Sequence, residues 1–329
     1  HITVKGGKFL EAVAGADTIV FDKTGTLTHA CPRVVQVVPF GGRDEAEMLR
    51  LAACLEEHFP HSMANAVVAE AKRRGLTHEE YHSKVEYLVA HGIASAVDGE
   101  QVRIGSAHFI FEDEGVQIPT EEQARFDALP PEYSQLYLAI DGELAAVLCI
   151  SDPLREEAHS VLEALRGLGL HHTVMLTGDS PRTAAAIASQ AGVDEFRAGV
   201  LPADKADYVA ALRRQGHTVL MVGDGINDSP ALSEADAGIA ISDGAAIARE
   251  IADITIAADS LWELVRLRQL AMALMARIHA NYRFVIGFNG VLIALGMAGV
   301  LPPAASAMLH NLSTLGVSLH SMCALPEKR

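Results

Sequence analysis

Asp22-Lys23-Thr24-Gly25-Thr26-Leu27-Thr28 follows the apolar run at residues 18–21, so a carboxylate stands where a buried strand should end. A strand-end Asp can attack a phosphoryl group in line, as a nucleophile. Three more polar motifs accompany it: Thr177-Gly178-Asp179 after residues 173–176, Lys205 in Leu-Pro-Ala-Asp-Lys, and Gly223-Asp224-Gly225-Ile226-Asn227-Asp228 after residues 218–222. The metaphosphate-like transition state needs hydrogen-bond donors and positive charge around its oxygens. Thr177 and the Gly178 N–H can supply donors and Lys205 the charge, with Lys23, Thr24 and Asp179 beside them in the same motifs. Asp22, Asp224 and Asp228, with Thr24 next to the first, make an all-oxygen set suited to Mg²⁺. No GxxxxGK[ST] loop is present, so phosphate handling rests on this carboxylate site.

The elements that must position these residues are short apolar strands alternating with helices. Strands are expected at 18–21, 173–176, 218–222 and 237–241, the last ending at Ser242-Asp243-Gly244, with helices at 181–191 and 229–234. This is the pattern of a parallel α/β sheet, whose ligands bind beyond the carboxyl ends of the strands. Between about residue 30 and residue 147 the texture changes to amphipathic helices (44–55, 62–74) and two hairpins turning at Asp98-Gly99 and Asp141-Gly142. That segment is expected to be an inserted α+β domain.

From Phe284 to Pro326 there is no Asp, Glu, Lys or Arg. Such a stretch, roughly 40 residues, suffices for two membrane spans of about 20 each, and Pro302-Pro303 divides it into a hairpin. Arg266, Arg268, Arg277 and Arg283 precede it and Lys328 and Arg329 follow, which puts both ends on the cytoplasmic side. The net charge of −16 argues against a nucleic-acid surface. Cys31, Cys54, Cys149 and Cys323 form no CxxC pair, which argues for a reduced cytosolic setting and against a disulfide framework or a zinc site. The first residue is His1 rather than Met, so the chain is expected to be a piece of something longer.

DKTGTLT at 22–28, TGD at 177–179 and GDGINDSPAL at 223–232 resemble the motifs of the P-type ATPases, within the haloacid dehalogenase-like superfamily. The resemblance implies that Asp22 takes the γ-phosphate of ATP as an aspartyl-phosphate. It further implies that Lys205 and Thr177 contact the phosphoryl group, that Asp224 and Asp228 hold Mg²⁺, and that Asp152-Pro-Leu-Arg155 is the hinge where the insert rejoins. Aspartyl phosphatases of this general fold resemble DxDx[TV], with a second Asp as general acid/base; here position 24 is Thr, so the phosphoaspartate should persist. The implied fold is a haloacid dehalogenase-like parallel-sheet phosphorylation domain (17–29 and 148–260) with an inserted α+β nucleotide-binding domain (30–147). Residues 1–16 would be the exit of a preceding span, and 261–329 a membrane-proximal helix plus transmembrane helices at about 284–301 and 303–325.

The insert is similar to the compact nucleotide domain of the heavy-metal (P1B) branch, in which His-Pro-Leu holds adenine and a Gly-x-Gly turn admits the nucleotide. Here the first reads His61-Ser62-Met63 and the second Ala90-His91-Gly92; a later Gly-Asn reads Gly105-Ser106. Glu56, His61 and Gly92 are the expected nucleotide-binding residues, with His58 the rival to His61 if the register shifts. In the spans, Asn289, His310, Ser313 and Thr314 are expected ligands for a transported metal; His310, Ser313 and Thr314 share one helical face. Ser313 and Thr314 also read as hydroxyls that join helices.

Phe288-Asn289 with His310-x-x-Ser313-Thr314 parallels the copper pattern, and His310-Asn311-Leu312-Ser313-Thr314 the cobalt/zinc one. Imidazole and hydroxyl suit Zn, Co, Ni, Cu or Mn better than alkali ions, and the resemblance of His310 and Thr314 to the second pattern implies a divalent metal of the Zn, Co, Mn or Cd type. The resemblance therefore implies ATP-driven metal export, with ATP as substrate and Mg²⁺ as cofactor, from a multi-pass protein of a bacterial plasma membrane with cytoplasmic catalytic domains. It implies as partners the lipid bilayer and the rest of the same pump: its actuator domain and first six spans. Alternatives are a copper pump, a potassium-type relative, a capped phosphatase and a nucleotide-binding relic.

Overall fold

Two sheets organise the chain, each assembled from strands far apart in sequence. The computed structural model describes residues 2–29, 31–58, 62–76, 86–88, 92–97, 99–224, 228–241, 250–258 and 260–324. In chain order the strands are β1 (Ile2–Val4), β2 (Thr18–Asp22), β3 (Arg33–Pro39), β4 (Glu86–Leu88), β5 (Gly92–Val97), β6 (Glu100–Gly105), β7 (Ser134–Ile140), β8 (Glu143–Ser151), β9 (His172–Leu176), β10 (Glu195–Arg197), β11 (Val219–Gly223), β12 (Ala237–Ile241) and β13 (Ile254–Ile256). The helices are α1 (Gly7–Gly15), α2 (Glu45–Glu56), α3 (Ser62–Arg73), α4 (Gln123–Asp127), α5 (Ala158–Gly167), α6 (Pro181–Ala191), α7 (Pro202–Arg214), α8 (Ser229–Glu234), α9 (Trp262–Met297) and α10 (Pro303–Met322).

The first sheet runs β1-β13-β12-β11-β2-β9-β10, parallel except for β1. Its central strands are apolar on both faces, as a doubly covered parallel sheet requires. Ile19 and Phe21 of β2 pack with α1, α5, α6 and α9, while Val20, between them, packs with α7 and α8 on the other face. Burying each such side chain contributes about 1.5–3 kcal/mol. The chain winds outward from β2 through β9 to β10, then returns to lay β11, β12 and β13 on the other side of β2. The order of the strands therefore reverses beside Asp22, the place where such sheets form a ligand crevice.

The second sheet, β3-β8-β7-β6-β5-β4, is antiparallel throughout. One face carries α2 and α3, and the other an aromatic layer that includes Phe40, Phe109, Phe111, Phe126 and Tyr137. The hairpin expected at Asp141-Gly142 is formed by β7 and β8, with both turn residues at positive φ (48° and 81°), the geometry that favours Asp-Gly there. Strands β5 and β6 form the other hairpin, whose Asp98 lies outside the described residues.

Three features differ from the sequence reading. Strand β8 runs to Ser151, beyond the expected boundary at 147, because its apolar run continues in register with β3 as far as Arg33↔Ser151. Residues 2–15, expected as the exit of a membrane span, form an antiparallel edge strand on β13 and a helix packed in the first core through Val13. The membrane-proximal helix and first span are one unbroken helix of 36 residues, α9. By length and composition α9 alone among the described helices is apolar enough to cross a membrane. Helix α10 lies beside it, continuous over Pro303–Met322, its apolar sequence broken by His310, Asn311, Ser313, Thr314 and His320.

On α3, Glu70 accepts from Arg73 Nε and Nη2 and from Arg74 Nε, each at 2.7 Å, and Arg74 also reaches Glu45 of α2. The Arg73 hydrogen bonds first, then those of Arg74, hold the Glu70 carboxyl down to about 2 against an ordinary 4.5. A carboxyl depressed on folding stabilises fully above its unfolded value and loses that contribution as pH falls towards the folded one. Glu70→Gln is therefore expected to lower the denaturation midpoint at neutral pH while flattening the acid-induced loss of stability between about pH 4.5 and pH 2.

Candidate active site

Asp22 is the last residue of β2, opposite Leu176 of β9, while Phe21 stands opposite Val222 of β11. Thr177 and Gly223 thus flank it at the same level of the sheet. Asp22 is 6% exposed. Lys205 comes from the first turns of α7, where Pro202 begins the helix, and its Nζ donates to Asp22 Oδ1 at 2.5 Å and Asp228 Oδ1 at 2.8 Å. Asp228 precedes α8 and is fully buried. Gly223 makes room for it: a Cβ there would come within 2.7 Å of Asp228 Oδ2.

One ammonium cannot fully offset two buried carboxylates. Burial pushes the Asp22 carboxyl up to about 7 against the pull of Lys205, with the charges of Asp228 and Asp224 adding to the rise. Burial raises Asp228 as well. Lys205, although burial works against its charge, is held above the ordinary lysine range by the two carboxylates.

Around this centre the donors are pre-oriented. Asp179 Oδ2 accepts from Lys23 Nζ at 2.7 Å and from Thr177 Oγ1 at 3.1 Å, and the Asp179 N–H donates back to Thr177 Oγ1. The loop after Asp22 turns at Gly25, whose φ of +76° suits glycine. The returning chain clasps that loop: Thr28 Oγ1 donates to Asp152 Oδ2 at 2.7 Å, and Arg155 Nε donates to the carbonyls of Thr26 and Thr28.

A cleft of about 330 Å³ runs from this loop to the second sheet. Lys23, Thr24, Asp152, Thr177, Gly178 and Asp179 line one side, and Glu56, Met63, Gly92, Gly105, Ser106 and Tyr137 the other. Asp22 lies behind the wall, next to Lys23. Glu56 is buried at the end of α2, and Gly92 pairs with Gly105 across β5 and β6. Gly92 also has a packing role, since a Cβ there would come within 2.5 Å of the Ile104 carbonyl and the Phe109 ring. His61 and His91 lie outside the described residues, and His58 is exposed. Ser134, not singled out from the sequence, accepts from Lys23 Nζ at 3.0 Å and so joins the two halves of the cleft. A lone Ser at a strand start carries no sequence signal. Asp152, expected from the sequence at the hinge where the insert rejoins, lines the cleft and accepts from Thr28 Oγ1.

The residues suit a hard divalent cation. The donors are carboxylate oxygens, and Asp228 Oδ2 is buried without a hydrogen-bond partner. Among the described residues, however, no three acidic, imidazole or thiol side chains are drawn up around one point, and Lys205 spans Asp22 and Asp228.

In the hairpin, Asn289 Oδ1 and His310 Nδ1 meet at 2.9 Å. Ser313 and Thr314 do not join them: both hydroxyls donate to the carbonyl of His310.

A parallel sheet that reverses order beside a buried aspartate, with lysine and a second aspartate behind it, defines the haloacid dehalogenase-like class. The family model described as haloacid dehalogenase-like hydrolase matches residues 16–236, and the chain belongs to this family. Its homologues are metal-exporting P-type ATPases. It is 38% identical over 323 residues to a zinc-exporting P-type ATPase of Mycobacterium marinum, covering 97% of this chain and 44% of that protein. It is 37% identical to a probable copper-exporting P-type ATPase V of Mycobacterium tuberculosis, covering 98% and 41%. The crystal structure of a zinc-transporting PIB-type ATPase in its E2.Pi state superposes with a TM-score of 0.66 at 33% identity, covering 98% of this chain and 52% of that one. The chain thus spans less than half the length of these curated relatives.

Removing Lys205 would leave two carboxylates buried against each other. Lys205→Met is expected to destabilise the protein by about 3 kcal/mol, as losing one partner of a buried ion pair does. The loss should shrink on acidification, as the carboxyls take up protons, and chemical denaturation at two pH values checks both.

Proposed function

We propose that this chain is the catalytic part of an ATP-driven metal exporter, in which Asp22 accepts the γ-phosphoryl group of ATP. The observation that carries the reading is the buried Asp22–Lys205–Asp228 group at the reversal point of the sheet, directly behind Lys23 and Thr24 in the wall of a cleft whose far side is built by the second sheet. Within it, residues 17–29 and, after the end of β8, 152–260 form the phosphorylation domain and 30–151 the nucleotide domain, with Glu56 and Gly92 at the base of the nucleotide.

Asp22 in its ionised form attacks γ-phosphorus in line; the bond to the β,γ-bridging oxygen breaks and ADP leaves with that electron pair. Lys205 offsets charge on the nucleophile and, as Asp22 becomes esterified, on the transferred oxygens. Thr177, whose hydroxyl donates to Asp179 in this structure, would turn that O–H to those oxygens beside the Gly178 N–H. Mg²⁺ would be held by Asp22, Thr24, Asp224 and Asp228, and when bound it neutralises charge between the carboxylate and the phosphate. Thr24 provides no general base, so the phosphoaspartate outlives the transfer and can drive a conformational cycle.

The cargo we propose is a divalent transition metal, since imidazole from His310 beside Asn289 suits such ions. The relatives' names include zinc and copper exporters, so a copper ion is the other reading. Helices α9 and α10 would span the bilayer, with the two sheets on its cytoplasmic face and the other spans and actuator domain supplied by the rest of the pump.

With γ-labelled ATP and Mg²⁺, the full-length pump is expected to form an acid-stable, hydroxylamine-sensitive phosphoprotein whose level depends on one transition metal. Asp22→Asn should abolish it. A folded, ATP-binding protein that forms none with any metal would refute the reading.

A further inference from the structure

Arg268, grouped by sequence with the basic residues flanking a span, is 4% exposed. It sits on the stretch of α9 whose Leu264, Val265, Leu267 and Ala271 belong to the core of the first sheet. Its guanidinium donates to the carbonyls of Val13 and Ala16, at the C-terminal end of α1, and twice to that of Leu168, which caps α5. Those carbonyls have no partner inside their own helices and carry the negative end of each helix dipole. Burial, with no opposing carboxylate, lowers the Arg268 pKa. One buried cation therefore binds three helices together through backbone that side-chain drift cannot alter.

Nine residues further along the same helix, about 13 Å by helical rise, Arg277 repeats the arrangement. Its guanidinium donates to the carbonyls of Cys323 and Ala324, at the C-terminal end of α10. Asn281 adds a bond to Ser321 Oγ at 2.9 Å. Helix α9 is unbroken between these clamps. Its far end holds Asn289 against His310.

We propose that Arg268 is the coupling residue of the pump: it makes α9 part of the phosphorylation core, so that movement of that core on phosphorylation reaches the Asn289–His310 pair. The inference rests on the pump reading above. Arg268 touches neither substrate nor reacting atoms and acts by position. Lysine cannot replace it fully, because one ammonium lacks the planar fork that reaches two helices at once.

The test uses the full-length pump in vesicles and reads phosphoprotein level, ATP hydrolysis and metal moved per ATP. Arg268→Met is expected to form phosphoprotein while its metal-to-ATP ratio falls about tenfold, a size typical of coupling between sites, with Arg268→Lys in between. If the Met variant does not fold, Ala273→Gly with Ala276→Gly softens α9 between the two clamps without touching either, and the same loss is expected. Normal phosphoprotein with an unchanged ratio, in the Met variant or in the glycine pair, would overturn the inference alone. An unaltered pump that forms no phosphoprotein would overturn the reading beneath it.

Discussion

Asp22 and Asp228 are buried around a single ammonium, that of Lys205, and much of the catalytic half is arranged to hold that group together. Taking ions out of water costs several kcal/mol each even after the protein relaxes. That cost is met only if all three side chains arrive with good geometry, and they come from positions spread over some two hundred residues of chain. The parallel sheet solves this by placing β2 between β9 and β11, so that three chain reversals end at one level. The absence of a Cβ at Gly223 lets the Asp228 carboxylate tuck against β11. Burial, opposed by only one shared ammonium, pushes both carboxyls up, and a bound cation would relieve that shortage of positive charge.

The loop that follows Asp22 is a joint as well as a piece of chemistry. Thr28 and the carbonyls of Thr26 and Leu27 are held by Asp152 and Arg155 of the returning strand, so both crossings into the second sheet meet on the motif itself. Lys23 reaches Ser134 across the cleft, and at its rim Arg182 and Thr183 of α6 donate to the carbonyls of Asp127 and Tyr133. In this arrangement the two walls are hydrogen-bonded to each other. On the proposed reading, a nucleotide lying between them would contact groups already engaged across the gap, so opening, binding and phosphoryl transfer would be linked through the same few side chains.

Strands β2, β9, β11 and β12 of the first sheet were legible because each is a short apolar run stopped by a polar motif, and the Asp-Gly turn of the β7–β8 hairpin because its geometry demands positive φ. The family followed from three motifs in a fixed order. What sequence did not reveal shares one cause, dependence on partners distant in the chain. Ser134 matters only because Lys23 is folded over it. Residues 2–4 become a strand only because β13 offers an edge. Arg268 is the sharpest instance: a basic residue near an apolar run fits the rule for membrane flanks, and only the packing of α1 and α5 makes it a buried clamp. No Pro or Gly stands between Trp262 and Arg283, so the expected membrane-proximal helix and span continue as one helix.

On the proposed reading, the hairpin bears on ion choice as well as on coupling. Ser313 and Thr314 spend their hydroxyls on the backbone of their own helix, a local bond that competes with any outside partner. The imidazole of His310 and the amide of Asn289 are left to face each other. A zinc-like ion prefers about four donors in tetrahedral array, and this pair offers two. The pair can therefore bias selection towards ions that accept nitrogen, but discrimination among them must come from donors on the other spans. Those donors would be brought to and from the pair by the movement that α9 transmits. Selectivity and coupling would then depend on the same helix.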